Sequence, residues 1–179
     1  MRQHLLALLF GWALASMASP AVAMTDLGLF VDVDGTVYLF NSTASPLSFD
    51  GYQIVSETKN LDPVGWKSIS DYVAGGQITD VIAALGPGGL TFGEANPSDG
   101  NLAELNLGGA ATLQPGWGGK FAIGRPFIGP GWWGNNQFFY HSPGTSAAIP
   151  GDIFVVPEPS TWLLGTLAAL GLVAMRRWW

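Results

Sequence analysis

The sequence predicts an all-β fold, a single β-sandwich held between two apolar end segments. Three observations predict it. Glycine and proline are abundant, at 25 and 12 of 179 residues. Between the ends, short apolar stretches alternate with turn-forming residues, the pattern of packed antiparallel strands. Outside the ends no stretch carries sustained helical periodicity, and no fixed-period repeat or linker divides the chain.

The elements follow in order. The first residues, Arg2 and His4 before the apolar run Leu5 to Ala15 and then Ala21-Val22-Ala23, have the layout of a secretory signal peptide over residues 1–23. Cleavage after Ala23 leaves Met24 as the mature start. Residues 24–155 then have the length of one domain. In "LGLFVDVDGTVYLFNST", Leu29, Val31 and Val33 share one face, and Asp34-Gly35 forms a two-residue turn. This predicts a hairpin of Leu27 to Val33 on Thr36 to Ser42, with Val37, Leu39 and Asn41 continuing the face. "LSFDGYQIVSE" predicts a third strand with Phe49, Tyr52, Ile54 and Val55 as its apolar members. Further strands fall in "NLAELNLGG", "GKFAIGRPF", "NQFFYHS" and "GDIFVV", about seven or eight in all, enough for two packed sheets. Asp62-Pro63 predicts the start of a one- or two-turn helix, with Asp capping and Pro at the first position. A second short helix, or a long surface loop, is expected near Thr79 to Leu85. The segment at 142–151 reads as a hinge between two strands.

Composition limits the chemistry. Residues 24–155 hold twelve acids against four bases, Lys59, Lys67, Lys120 and Arg125, so their net charge is 4 − 12 = −8, against −6 for the whole chain. Such a surface repels phosphate backbones and argues against a nucleic-acid partner. Cysteine is absent, which excludes disulfides and thiolate metal sites. One histidine, His141, in this region excludes multi-histidine zinc and Cys–His catalysis, and no Gly-x-Ser-x-Gly elbow is present. The expectation is a non-enzyme without a cofactor. "DVDG" matches only the first half of a calcium loop, so Asp32 and Asp34, with Asp99 of "NPSDGN", are weak candidates for a structural cation. In "GPGWWGNNQFFYH", Trp132, Trp133 and Tyr140 lie near Asn135, Asn136 and Gln137, a composition suited to stacking a sugar ring and bonding its hydroxyls. In an alternating strand Phe138 and Tyr140 face one way and Phe139 the other, so one face of that stretch is core.

The last 24 residues, 156–179, carry a different message. From Trp162 to Met175 every residue is apolar or small except Thr166. This run is short of the roughly 20 residues that span a bilayer as a helix. Pro157 and Pro159 stop any helix from extending upstream. Arg176 and Arg177 suit the cytoplasmic side of a membrane stop, and Trp162, Trp178 and Trp179 suit the headgroup level. "VPEPSTWLL" followed by an apolar stretch and "RR" resembles the PEP-CTERM sorting signal of Gram-negative bacteria. The resemblance implies recognition at Pro157, Glu158 and Pro159 by an exosortase, a membrane transpeptidase-like enzyme. It further implies an inner-membrane intermediate and transfer of the upstream part to the cell surface or extracellular matrix. "NSTASPLSFDGYQIVSETKNLDPVGW", with "EANPSDGNLAELNLGGAATLQPG" downstream, resembles a recurring region of surface proteins that bear this tail. It supports the sandwich reading, in the manner of immunoglobulin-like or lamin-tail domains.

Three functions stand open at this point. The first is a structural or adhesive surface protein. The second is a carbohydrate-binding module that holds extracellular polysaccharide on an aromatic platform. The third is a secreted polysaccharide hydrolase acting through carboxylates that the sequence does not pair.

Overall fold

The computed structural model describes residues 25–129 and 135–155. Eleven strands occur among the described residues: β1 (Leu27–Val31), β2 (Val37–Asn41), β3 (Leu47–Phe49), β4 (Gly51–Ser56), β5 (Phe92–Glu94), β6 (Asn101–Asn106), β7 (Ala111–Leu113), β8 (Phe121–Ala122), β9 (Asn136–His141), β10 (Ala148–Gly151) and β11 (Ile153–Val155). Two short helices, α1 (Ile69–Ala74) and α2 (Ile78–Leu85), interrupt them between β4 and β5. The strands form a four-stranded sheet β11-β1-β2-β8, a five-stranded sheet β10-β9-β4-β6-β5, and the pair β3-β7. Every pairing is antiparallel except β1 with β11. Strand is therefore the main secondary structure among the described residues. One hydrophobic cluster draws on all three sheets and both helices, with Leu29, Leu39, Phe49, Ile54, Ile69, Leu85, Leu113 and Phe138 among its members.

The first hairpin forms where the alternation predicts it, with a different turn. Leu29 pairs with Leu39 and Val31 with Val37, one residue out of the expected register. The loop holds three residues, Val33-Asp34-Gly35. The Asp32 N–H donates to the Thr36 carbonyl at 2.8 Å, and the Gly35 N–H to the Asp32 carbonyl at 2.9 Å. Gly35 takes a φ of 85°, the left-handed position that ends a three-residue hairpin loop. The reason is burial. A two-residue loop would set Leu29 opposite Phe40, on the other face of β2, whereas the observed register puts Leu27, Leu29, Val31, Val37 and Leu39 in one core face. Val33, expected on that face, is an exposed turn residue. Asn41 does continue the face, buried as a satisfied amide that donates to the Ser45 and Leu113 carbonyls.

The stretch expected as one third strand splits at Asp50. β3 pairs with β7, while β4 joins the second sheet between β6 and β9. Gly51 permits the jump, because a Cβ there would stand 2.8 Å from Leu105 Cδ2 and 3.1 Å from the Glu104 carbonyl oxygen. Tyr52 and Ile54 are core as expected; Val55 points to the half-exposed face.

The first helix starts six residues later than expected. Asp62 accepts the Val64 N–H and closes a turn through its carbonyl to the Trp66 N–H, and Trp66 is then bridged in extended form to Gly124. The true start is a capping box. The Ser68 side chain accepts the Asp71 N–H at 2.9 Å, and the Asp71 carboxylate accepts the Ser68 N–H at 3.1 Å. The second helix covers the expected stretch and buries Val81 and Leu85. The hinge segment at 142–151 is partly a strand, since β10 forms a hairpin with β9.

Candidate functional site

One strand ties the two larger sheets together and leads out toward the C-terminal segment. β10 pairs with β9 in the five-stranded sheet, and after Asp152 the chain continues as β11 beside β1 in the four-stranded sheet. The crossing needs a residue without a side chain. A Cβ on Gly151 would overlap the Phe138 ring and lie 2.5 Å from the Leu27 carbonyl oxygen. Asp152 fixes the crossing at the start of β1. Its N–H donates to Thr25 Oγ1 at 2.9 Å, its carboxylate accepts the Thr25 N–H at 2.8 Å, and its carbonyl accepts the Leu29 N–H at 2.8 Å. Val155, opposite Val31, is the last residue of β11. A groove of about 440 Å³ opens beside this crossing, with the Asn136 and Gln137 amides and Phe139 among its lining.

Pro157, Glu158, Pro159, Arg176 and Arg177 lie outside the described residues, as do Trp132 and Trp133 and the expected signal peptide at 1–23. Tyr140, grouped with the two tryptophans as a glycan contact, is corrected by its position. It is 2% exposed, stacked beside Phe138 with ring centroids 6.5 Å apart, and so is core. Asp32 and Asp34 sit in the first turn and Asp99 in a separate turn between Ser98 and Asn101. Asp34 is engaged by the Thr36 N–H and hydroxyl, both at 2.9 Å, and by Arg125 Nη2 at 3.0 Å. These bonds, the Thr36 N–H foremost, hold its carboxyl below the usual range. Among the described residues no group of three or more His, Cys, Asp or Glu side chains converges on a metal position.

The most perturbed titratable groups are ones that the sequence did not single out. Glu104 on β6 is fully buried. Its carboxylate accepts the Tyr52 hydroxyl at 2.6 Å, the Ile69 N–H at 2.8 Å and the Ser70 N–H at 2.9 Å. The last two donors are free N–H groups of the first turn of α1, so Glu104 and the Ser68–Asp71 box together satisfy that helix end. Burial pushes the Glu104 carboxyl up, against the pull of the Tyr52 and backbone bonds. Burial, and next the charge of Glu104, push the Tyr52 hydroxyl well above its ordinary range. The Trp66 indole N–H opposes that rise weakly, and it has no well-formed hydrogen bond of its own. Glu94 stands directly across from Glu104 on β5 and accepts the Ser68 hydroxyl at 2.7 Å. Two facing acids are thus held apart in role by separate donors.

A second missed feature is aromatic. Phe30 of β1 packs beside Tyr38 and Phe40 of β2 and against Trp117, whose ring stands edge-on to Phe30 at 4.4 Å and tilted over Phe40 at 5.3 Å. Lys120 Nζ lies 4.0 Å from the Tyr38 ring centroid and 5.1 Å from that of Trp117, within cation–π reach. Trp117 remains 56% exposed.

Residues 155–177 match the family described as the PEP-CTERM protein-sorting motif. No curated protein and no solved structure matches the chain.

Proposed function

We propose, from the premise that residues 155–177 form a PEP-CTERM sorting motif, that this chain is an exported protein which an exosortase processes at the membrane. In this reading the strand-rich region is delivered to the cell surface or extracellular matrix, where it has a structural or adhesive role. The observation that carries the reading is the place of the motif: it begins on Val155, the last residue of β11. The two larger sheets over one core are read as a β-sandwich of immunoglobulin or lamin-tail type. A non-enzymatic role is supported by how the buried acid is used. Glu104 spends its acceptors on a helix end and a tyrosine inside the core, where no substrate reaches.

Intact-mass measurement of the surface-released protein tests this. The expected species starts near Met24 and stops close to Pro157–Pro159. Released protein that still carries "RRWW" would refute the sorting step.

A second reading, contact with extracellular polysaccharide, is favoured by the exposed Trp117 ring with Phe30, Tyr38 and the Lys120 ammonium beside it. A flat ring face and a nearby donor suit a pyranose. If it holds, Trp117→Ala abolishes binding on a polysaccharide array that the parent protein passes. A parent protein that binds no glycan, or a variant that binds as well, would remove this reading.

A further inference from the structure

We infer that, before cleavage, the domain rests the end bearing Val33, Val64 and Ile128 on the membrane that holds its sorting segment, with these three side chains dipping into the lipid interface. The inference rests on the sorting reading above. Val155 pairs with Val31, so the chain leaves the fold beside the Asp32–Thr36 turn. Trp162, where the apolar run begins, is seven Cα steps further on, at most about 25 Å along an extended chain. A body of this many residues is roughly 35 Å across, so the tether holds the exit end at the bilayer and keeps the far end from it.

That same end presents three apolar residues on three separate loops. Val33 is 59% exposed, Val64 94% and Ile128 57%. The loops are stitched into one surface. Arg125 bonds Asp34 of the first turn through its guanidinium at 3.0 Å and the Gly65 carbonyl through its N–H at 2.7 Å. Asp62 N–H donates to the Pro126 carbonyl at 2.8 Å, and Ile128 N–H to the Asn60 carbonyl at 2.9 Å. The tether brings a lipid interface to these aliphatic tips, an apolar phase into which they can insert. The acids of this end argue against attraction by anionic headgroups. Asp34 is neutralised by Arg125, but Asp32 and Asp62 are not so paired among the described residues. Contact is therefore apolar, and neutral lipid suffices.

The absence of cysteine makes the test direct, because each introduced thiol is unique. The full chain is reconstituted in phosphatidylcholine vesicles as Val33→Cys, Val64→Cys, Ile128→Cys, Leu107→Cys and Ala168→Cys, each with a nitroxide label. Leu107 is the control, since it is 83% exposed but follows β6 at the opposite end of the five-stranded sheet. Labels at 33, 64 and 128 should show a severalfold loss of collision with a water-soluble relaxer relative to 107, and a gain with oxygen, while 168 is shielded as the tail reference. If 168 is shielded and the three tips are as water-accessible as 107, the inference fails and the sorting reading stands. If 168 is itself in water, both fall.

Discussion

Replacing Glu104 by glutamine tests whether this buried acid is a helix cap. The side chain keeps its shape but exchanges two acceptor oxygens for one carbonyl and one donor. With its oxygen left on the Tyr52 hydroxyl and Ile69 N–H, the new NH2 group faces the Ser70 N–H, donor to donor. Each buried polar group left without a partner costs about 1–3 kcal/mol. Two such groups arise, offset in part because no charge need be buried, so a net loss of about 2–3 kcal/mol is expected at neutral pH. At roughly 3–5 °C per kcal/mol for a domain of this size, the melting temperature falls by about 10 °C. The pH dependence supplies a second check. Burial raises the Glu104 carboxyl, so the folded chain keeps its proton where the unfolded chain has lost it. The stability from this group is complete below the unfolded value of about 4.3 and is lost as pH rises through the folded pKa. Glutamine does not titrate, so the gap between parent and variant should widen on acidification. Thermal unfolding followed by circular dichroism between neutral pH and the carboxylate range reads both effects. A variant melting within about 2 °C of the parent would refute the capping argument; a gap that narrows as pH falls would instead refute the dominance of burial over the hydrogen bonds at this carboxyl.

Tyr52→Phe removes one donor from the same carboxylate and should cost about 1.5–3 kcal/mol in denaturant unfolding, the range for hydrogen bonds to charged groups. Gly151→Ala forces a methyl group against Phe138 and the Leu27 carbonyl. It should destabilise by about 1–3 kcal/mol and speed amide exchange first in β10 and β11. Arg125→Ala breaks an exposed ion pair and should leave the melting temperature unchanged. The Asp34 carboxyl should stay depressed in an NMR titration, because the bonds from Thr36 outweigh the arginine.

Much of the strand content was legible, because period-two alternation reports burial directly. Leu27 to Val31 and Val37 to Leu39 are core for the reason that their spacing suggests, and the burial of Phe138 and Tyr140 follows from the same alternation. The turn was misread because Asp34-Gly35 fits both a two-residue loop and the end of a three-residue one, and only burial of the facing strand decides between them. The helix start was misplaced because Asp62-Pro63 is an equally good local signal. Ser68-x-x-Asp71, a capping box in the sequence itself, carried the better one. Glu104 left an inverted pattern, with an acid inside at 104 and leucines outside at 105 and 107. Its partners Tyr52 and Ser70 are 52 and 34 residues away, so no local window shows what satisfies it. The Trp117 cluster stayed hidden for the same reason, because its rings come from two strands and a distant turn. The sorting motif was legible because its residues follow one another in the sequence and need no fold to bring them together.

The crossing strand also decides how the domain carries load. Tension on the segment beyond Val155 pulls along β11, which lies parallel to β1, so the bonds between the two strands are strained together in shear and do not open one after another. The force passes through Asp152 and its bonds to Thr25 and Leu29 into the four-stranded sheet, and through β10 into the five-stranded one. A protein held by this end thus meets a pull with both sheets at once. A pull across the strands would instead peel β11 from Val155 one bond at a time and meet far less resistance.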